Sequence, residues 1–171
     1  MPATAAHLHA ELESRQALTQ ALGVEVPETW PPPLYDQDAI QYTLRGLEAH
    51  PADADWGFYY LARRDGAHSL LVGAGGFKGA PDAEGTVEVG YSVLPEHQRQ
   101  GYATEAVGGW VRFAFESERV ARVIAHTLAS LGPSIRVLER TGFRYAGLGE
   151  DPNAPLGEQV VRYELPRPWD R

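Results

Sequence analysis

The spacing of apolar and polar residues changes type several times along the chain, and each change marks an element. From Ala6 to Leu22, Leu8, Leu12, Leu18 and Leu22 recur at loosely helical spacing, and Gly23 supplies a stop. Pro27 to Pro33, with Trp30 inside it, cannot continue a helix and reads as an extended connector. A second helix is predicted after Asp36, with Ile40, Leu44 and Leu47 on one face and Pro51 beyond its end. The pattern then becomes that of strands. Trp56 to Ala62 and Leu70 to Phe77 flank the turn Arg63-Arg64-Asp65-Gly66, and Thr86 to Leu94 follows a second turn at Pro81 to Gly85. Tyr102 to Phe115 is strongly amphipathic, with Ala106, Val107, Trp110, Val111 and Ala114 on one face. A strand at Ala121 to His126, a helix at Pro133 to Arg140 stopped by Thr141-Gly142, and strands at Phe143 to Gly147 and Gln159 to Leu165 complete the order. Between the last two strands, Gly149 to Gly157 reads as a mobile loop.

Helix, helix, three meander strands, helix, strand, helix and two strands together predict an α/β (α+β) fold. Its central sheet is mixed and mostly antiparallel, with helices on both faces. The length of 171 residues suits a single domain over 1–171, with N-terminal helices at 6–50 and a core at 55–165.

Composition narrows the function. The chain has no cysteine, which removes disulfides, thiolate metal sites and a cysteine nucleophile. A formal net charge of −8 opposes binding to nucleic acid, because such affinity comes from many lysines and arginines releasing counterions. No apolar run approaches the length of a membrane span, and the first residues lack the pattern of a secretory signal, so no membrane association and a cytoplasmic location are expected. The six histidines include one close pair, His7 and His9, which read as exposed helix residues rather than a metal site. No metal is expected. The glycine-rich string Gly73 to Gly79 lacks the context of a dinucleotide loop, since Lys78 stands at the third small position and a turn follows it instead of a helix.

Chemistry concentrates in Val87 to Ala106, where a strand runs into a tight turn and then a long helix. Free amides at a helix N-terminus, backed by the macrodipole, suit an anion, although a helix start with one glycine is common and can be a cap alone. Gly101 allows close backbone approach, Ala103 keeps the entrance clear, and Thr104 offers a hydroxyl.

The run Gln98-Arg99-Gln100-Gly101-Tyr102-Ala103 is similar to the Q/R-x-x-G-x-G/A motif of the GNAT N-acetyltransferases. Glu88-Val89-Gly90-Tyr91, Thr104-Glu105-Ala106 and Ser134 to Phe143 resemble in particular the branch that acetylates ribosomal-protein N-terminal alanine or serine. The resemblance covers about residues 55–165. It implies that acetyl-CoA is a co-substrate, its diphosphate held by Gln98 to Thr104 and its pantetheine arm paired with the backbone of Val93 and Leu94. It implies that Glu88 draws a proton from the incoming amine, and that Ser134, which also contacts the cofactor, protonates the departing thiolate where many relatives use a tyrosine and this chain has Leu138. Glu88 reads equally well as a cross-strand residue, and Ser134 as a helix cap. An ordinary glutamate titrates near 4.3, so a base at this position calls for burial to raise it.

Three features depart from the family pattern. Leu131 replaces an asparagine that usually contacts the cofactor, the Trp30-Pro31-Pro32-Pro33 segment marks a sub-branch, and only Met1 to Ala6 precede the first helical pattern where relatives begin with a strand, which leaves an edge to be covered by a loop or paired in a homodimer. The expected reaction is acetyl transfer to a primary amine, either a protein N-terminus or a small molecule. The alternative is a non-catalytic acyl-CoA sensor with the same fold, consistent with Leu131 and Leu138.

Overall fold

The computed structural model describes residues 1–151 and 154–167; of the loop between the last two strands, residues 152 and 153 therefore lie outside the described residues. The chain forms two compact units, 1–79 with 91–102 and 80–90 with 103–171.

The first unit holds helices α1 (Ala5–Glu13), α2 (Arg15–Leu22) and α3 (Gln37–Ala49), strands β1 (Phe58–Asp65) and β2 (His68–Phe77), and the end of β3 (Thr86–Val93). The single helix predicted over 6–22 is in fact two. Ser14 adopts an extended backbone, its amide closes α1 on the Ala10 carbonyl, and its hydroxyl accepts from the Ala17 amide at 3.0 Å to start α2. One small polar residue thus serves as the C-cap of one helix and the N-cap of the next, with leucines four residues apart on either side of it. Ser14→Ala is expected to cost about 1 kcal/mol, read as a lower urea midpoint with an unchanged slope. Gly23 ends α2 in the left-handed conformation, and Asp36 caps α3 through the Ala39 amide at 3.0 Å.

β1 and β2 form an antiparallel hairpin, and the end of β3 joins β2 through the Leu94 amide on the Val72 carbonyl at 2.9 Å. The glycines of the 73–79 string allow close packing within this unit. A Cβ at Gly73 would lie 2.5 Å from the Ser92 carbonyl oxygen, and one at Gly76 would lie 2.3 Å from that of Gly57. The outer edge of β1 is covered by the first residues. Ala3 donates to the Phe58 carbonyl and Tyr60 to that of Met1, both at 2.8 Å, and Pro2 bridges Tyr59. Leu8, Leu18, Val26, Ile40, Leu44, Tyr60 and Leu71 form the buried cluster on which the three helices pack.

The second unit begins with the first half of β3 and continues through α4 (Tyr102–Glu116), β4 (Arg122–Leu128), α5 (Gly132–Arg140), β5 (Arg144–Leu148) and β6 (Val160–Pro166). Its strand order is β3-β4-β6-β5, parallel between β3 and β4 and antiparallel elsewhere, so the mostly antiparallel α/β class is as the pattern predicts. β-branched residues at Thr86, Val87, Val89 and Val123 favour these strands. Val107, Trp110 and Ala114 form the buried stripe of α4, and Leu138 and Phe143 bury the end of α5. Arg167 ties the chain's last described residue to this unit, donating to the Val120 carbonyl at 2.8 Å and the Phe115 carbonyl at 2.9 Å.

Candidate functional site

β3 delivers the chain into the turn that precedes α4. Val93 and Leu94 are buried, and the Leu94 amide is committed to β2. Strand alternation then directs the backbone of Val93 away from β2, which makes Val93 the one of the two whose amide is turned outward from that hairpin. Pro95 to His97 forms a single 3-10 turn, fixed by the His97 amide on the Leu94 carbonyl at 2.8 Å.

Gln98 to Gly101 are all exposed. The two glutamines brace the turn: Gln98 Nε2 donates to the Val93 carbonyl at 3.0 Å and Gln100 Nε2 to the Glu96 carbonyl at 3.1 Å. Their side chains therefore hold backbone, and the Gln98 amide is itself engaged, donating to the Pro95 carbonyl at 3.3 Å. Arg99 and Gly101 both have positive φ, 60° and 92°. Such alternation curls successive amides toward one side, the arrangement that cradles anions. A non-glycine residue in the left-handed region costs roughly 1–3 kcal/mol, so the local backbone is held there by its surroundings. A Cβ placed on Gly101 meets nothing within 4 Å, so the space beside this glycine is open. α4 begins at the next residue, and the amides of Tyr102, Ala103 and Thr104 in its first turn have no helical carbonyl before them to bond. Open space, curled amides and the positive end of a 15-residue helix fit a diphosphate.

In the second unit the three-residue β3–β4 ladder ends at Glu88, paired in register with Ile124. The Glu88 side chain hydrogen-bonds His126, with Oε1 3.0 Å from Nδ1. Only 22% of the Glu88 side chain and 15% of that of His126 is exposed, so water screens the pair poorly. His126 was not singled out in the sequence. The signal that could have found it is register, because Glu88 and His126 share a face only once β3 and β4 are known to be parallel neighbours.

Ser134 stands third in α5, inside the helix rather than at its cap, a position Leu131 occupies without a side-chain hydrogen bond. Pro133 is preset for the helix start, where its missing amide costs nothing. Leu138, at the place of the family's usual tyrosine, is buried. Among the described residues there is no cluster of three or more histidines and carboxylates able to hold a metal, and no helix is long and apolar enough to cross a membrane.

A strand, a glycine turn and a helix N-terminus in a mixed α/β architecture suit an anionic ligand, and the comparisons with known proteins give the class. The chain belongs to the GNAT acetyltransferase family, whose domain model matches residues 2–144. It is 29% identical over 134 residues to the uncharacterised N-acetyltransferase YjdG of Bacillus subtilis, a match spanning 78% of this chain and 77% of that protein. A Vibrio cholerae structure provisionally assigned as a ribosomal-protein-serine acetyltransferase aligns with a TM-score of 0.63 at 18% identity, covering 96% of this chain and 91% of that one. The Salmonella typhimurium protein yncA, solved with its cofactor acetyl-CoA, aligns with a TM-score of 0.59 at 17% identity over 74% of this chain and 73% of its own. These two likenesses speak for the fold. The relatives' names and the family match make the chain an acetyltransferase.

Proposed function

We propose that this protein transfers the acetyl group of acetyl-CoA to a primary amine, with the backbone of Gln98 to Thr104 gripping the diphosphate and Glu88 accepting the proton that the attacking ammonium must lose. The observation that carries the reading is the open, positive-φ turn at Arg99 and Gly101 directly ahead of the free amides of α4. Acetyl-CoA supplies an activated thioester, and the protein's own part is to hold it, orient it and manage protons.

An ammonium has no lone pair with which to attack, so its proton must go first. A partly shielded carboxylate with a fixed hydrogen-bond partner suits that task. Val93, with its amide turned away from β2, is assigned to the pantetheine arm, and Leu94 to the strand end that steadies it. Ser134, near the start of α5, is assigned to the departing thiolate. The acceptor we favour is a protein N-terminal amine, in line with the branch resemblance and the description of the Vibrio cholerae neighbour. The net charge of −8 agrees with a cationic acceptor.

The test begins with thermal shift on acetyl-CoA and proceeds to thiol release with peptides bearing N-terminal serine or alanine, polyamines and aminoglycosides. Glu88→Gln is expected to lower kcat by roughly 100-fold or more while leaving the acetyl-CoA dissociation constant within about twofold. Unchanged turnover in that variant would remove Glu88 from proton transfer. Binding without thiol release for any amine would favour the acyl-CoA sensor, which Leu131 and the buried Leu138 make conceivable.

A further inference from the structure

The Glu88–His126 contact has more built around it than a surface pair needs. Glu88 pairs with Ile124 across the parallel ladder, and His126 lies two residues further along β4, which places both side chains on the same face. A carboxylate that is to take up a proton can only accept hydrogen bonds, so on the proposed role of Glu88 the 3.0 Å contact assigns the hydrogen to His126 Nδ1. The opposite edge of the ring is fixed by main chain. A Cβ at Gly149 would fall 2.3 Å from Cδ2 and 2.9 Å from Nε2 of His126, so only a glycine lets the backbone after β5 lie flat against the imidazole. Gly149 is itself anchored, donating its amide to the Val160 carbonyl at 3.0 Å.

The charged groups around the pair come from the neighbouring strands. β6 sets Arg162 in register opposite His126, and Arg162 donates to Glu164 at 3.0 Å, while Arg122 of β4 approaches the same carboxylate at 3.8 Å. The two arginines thus share Glu164, and the carboxylate that His126 engages is that of Glu88.

We propose that His126 is a positioning residue for Glu88, its Nδ1–H fixing the carboxylate while the bare backbone of Gly149 fixes the ring. The inference rests on Glu88 being the proton acceptor of the acetyl transfer. A carboxylate on a flexible side chain spends little time aimed at one proton, and a displacement of about 1 Å can cost on the order of 100-fold in rate.

Two measurements test it. The first needs no acceptor: imidazole 15N spectra of the full chain at mildly alkaline pH should show His126 protonated at Nδ1, and Glu88→Ala should return it to the Nε2–H form. An Nε2–H imidazole in the unaltered protein would overturn the proposal. The second is kinetic, with acetyl-CoA and a serine-N-terminal peptide. His126→Leu should lower kcat roughly 10- to 100-fold with KM for acetyl-CoA unchanged, and His126→Asn, whose amide N–H takes the place of Nδ1–H, should recover most of the rate. Gly149→Ala, which keeps the imidazole but pushes it aside, should fall between the two. It also serves as the second variant if His126→Leu does not fold. Slow Glu88→Gln with wild-type kcat in His126→Leu and Gly149→Ala would overturn the positioning role alone, and His126→Asn as slow as His126→Leu would do so too. Fast Glu88→Gln would instead overturn the proton-acceptor reading on which it stands.

Discussion

Replacing Glu11 with leucine is expected to lower the stability of the protein by roughly 3–5 kcal/mol, the sum of several buried donors left without an acceptor. Trp30 Nε1 donates to Glu11 Oε1 at 2.6 Å, and the hydroxyls of Tyr60 and Tyr35 donate to Oε2 at 2.6 and 3.1 Å. Tyr35 and Tyr60 are buried, so water cannot take over the role. The carboxylate joins α1 to the proline-rich connector and to β1, and Tyr35, Phe58, Tyr60 and Trp30 pack ring against ring around it. A chemical or thermal melt reads the effect, about a 10 °C fall in Tm for a chain of this size. A loss below about 1 kcal/mol would show that the donors find other partners.

The same residue gives a pH dependence. Burial pushes the Glu11 carboxyl above its ordinary value of 4.5, although the three hydrogen bonds pull the other way. A carboxyl raised by folding binds its proton more tightly in the native state than in the unfolded chain. Its contribution is therefore fullest below its unfolded value and is lost as pH rises through its folded value. Glu11→Gln removes this titration while keeping a carbonyl acceptor. The stability difference between the unaltered protein and Glu11→Gln should shift in favour of the unaltered protein as the pH falls from neutral toward 4.5. Parallel urea titrations across that range check the sign.

The second large effect concerns ligand. Gly101→Glu should abolish measurable acetyl-CoA binding, a loss of about 100-fold or more. Two like charges about 4 Å apart repel by roughly 4 kcal/mol at the effective dielectric of a protein surface. The turn is exposed and a Cβ there meets nothing within 4 Å, so the fold should tolerate the change apart from the strain of a side chain at φ 92°. Gly101→Ala carries that strain without the charge and should lose less. Isothermal titration with a thermal melt of each variant separates lost binding from lost folding. Acetyl-CoA bound equally well by the glutamate variant would move the diphosphate away from this turn.

Much of this was legible from the chain itself. The positions of α3, β2, β3, α4, α5 and β6 follow from apolar spacing, turn residues and caps, because those signals are local and agree with each other. The bend at Gln98 to Gly101 ahead of α4 was readable for a related reason: its signal, one glycine directly before an amphipathic helix, is contiguous in sequence. What escaped was non-local or masked. The break at Ser14 is hidden because leucines recur four residues apart on either side of it, Leu8 and Leu12 before and Leu18 and Leu22 after, so each half reads as helix. The Glu11 hub draws donors from positions 30, 35 and 60, and no periodicity reports which loop folds back on which helix. His126 looked like one histidine among six, since its bond to Glu88 exists only in the register of two strands distant in sequence. An open edge needing cover was foreseeable, but not that residues 1–3 supply it, because the cover is made from backbone hydrogen bonds that any short extended segment could supply.

The glutamine braces on the turn carry a last consequence. Because Gln98 and Gln100 already clamp the loop onto the carbonyls of Val93 and Glu96, the entropy of shaping that loop is spent during folding and, on the proposed diphosphate role of the turn, does not recur on binding. Cutting either clamp should therefore leave the contacts in the bound complex intact and still weaken it, through a receptor that must first be frozen into shape.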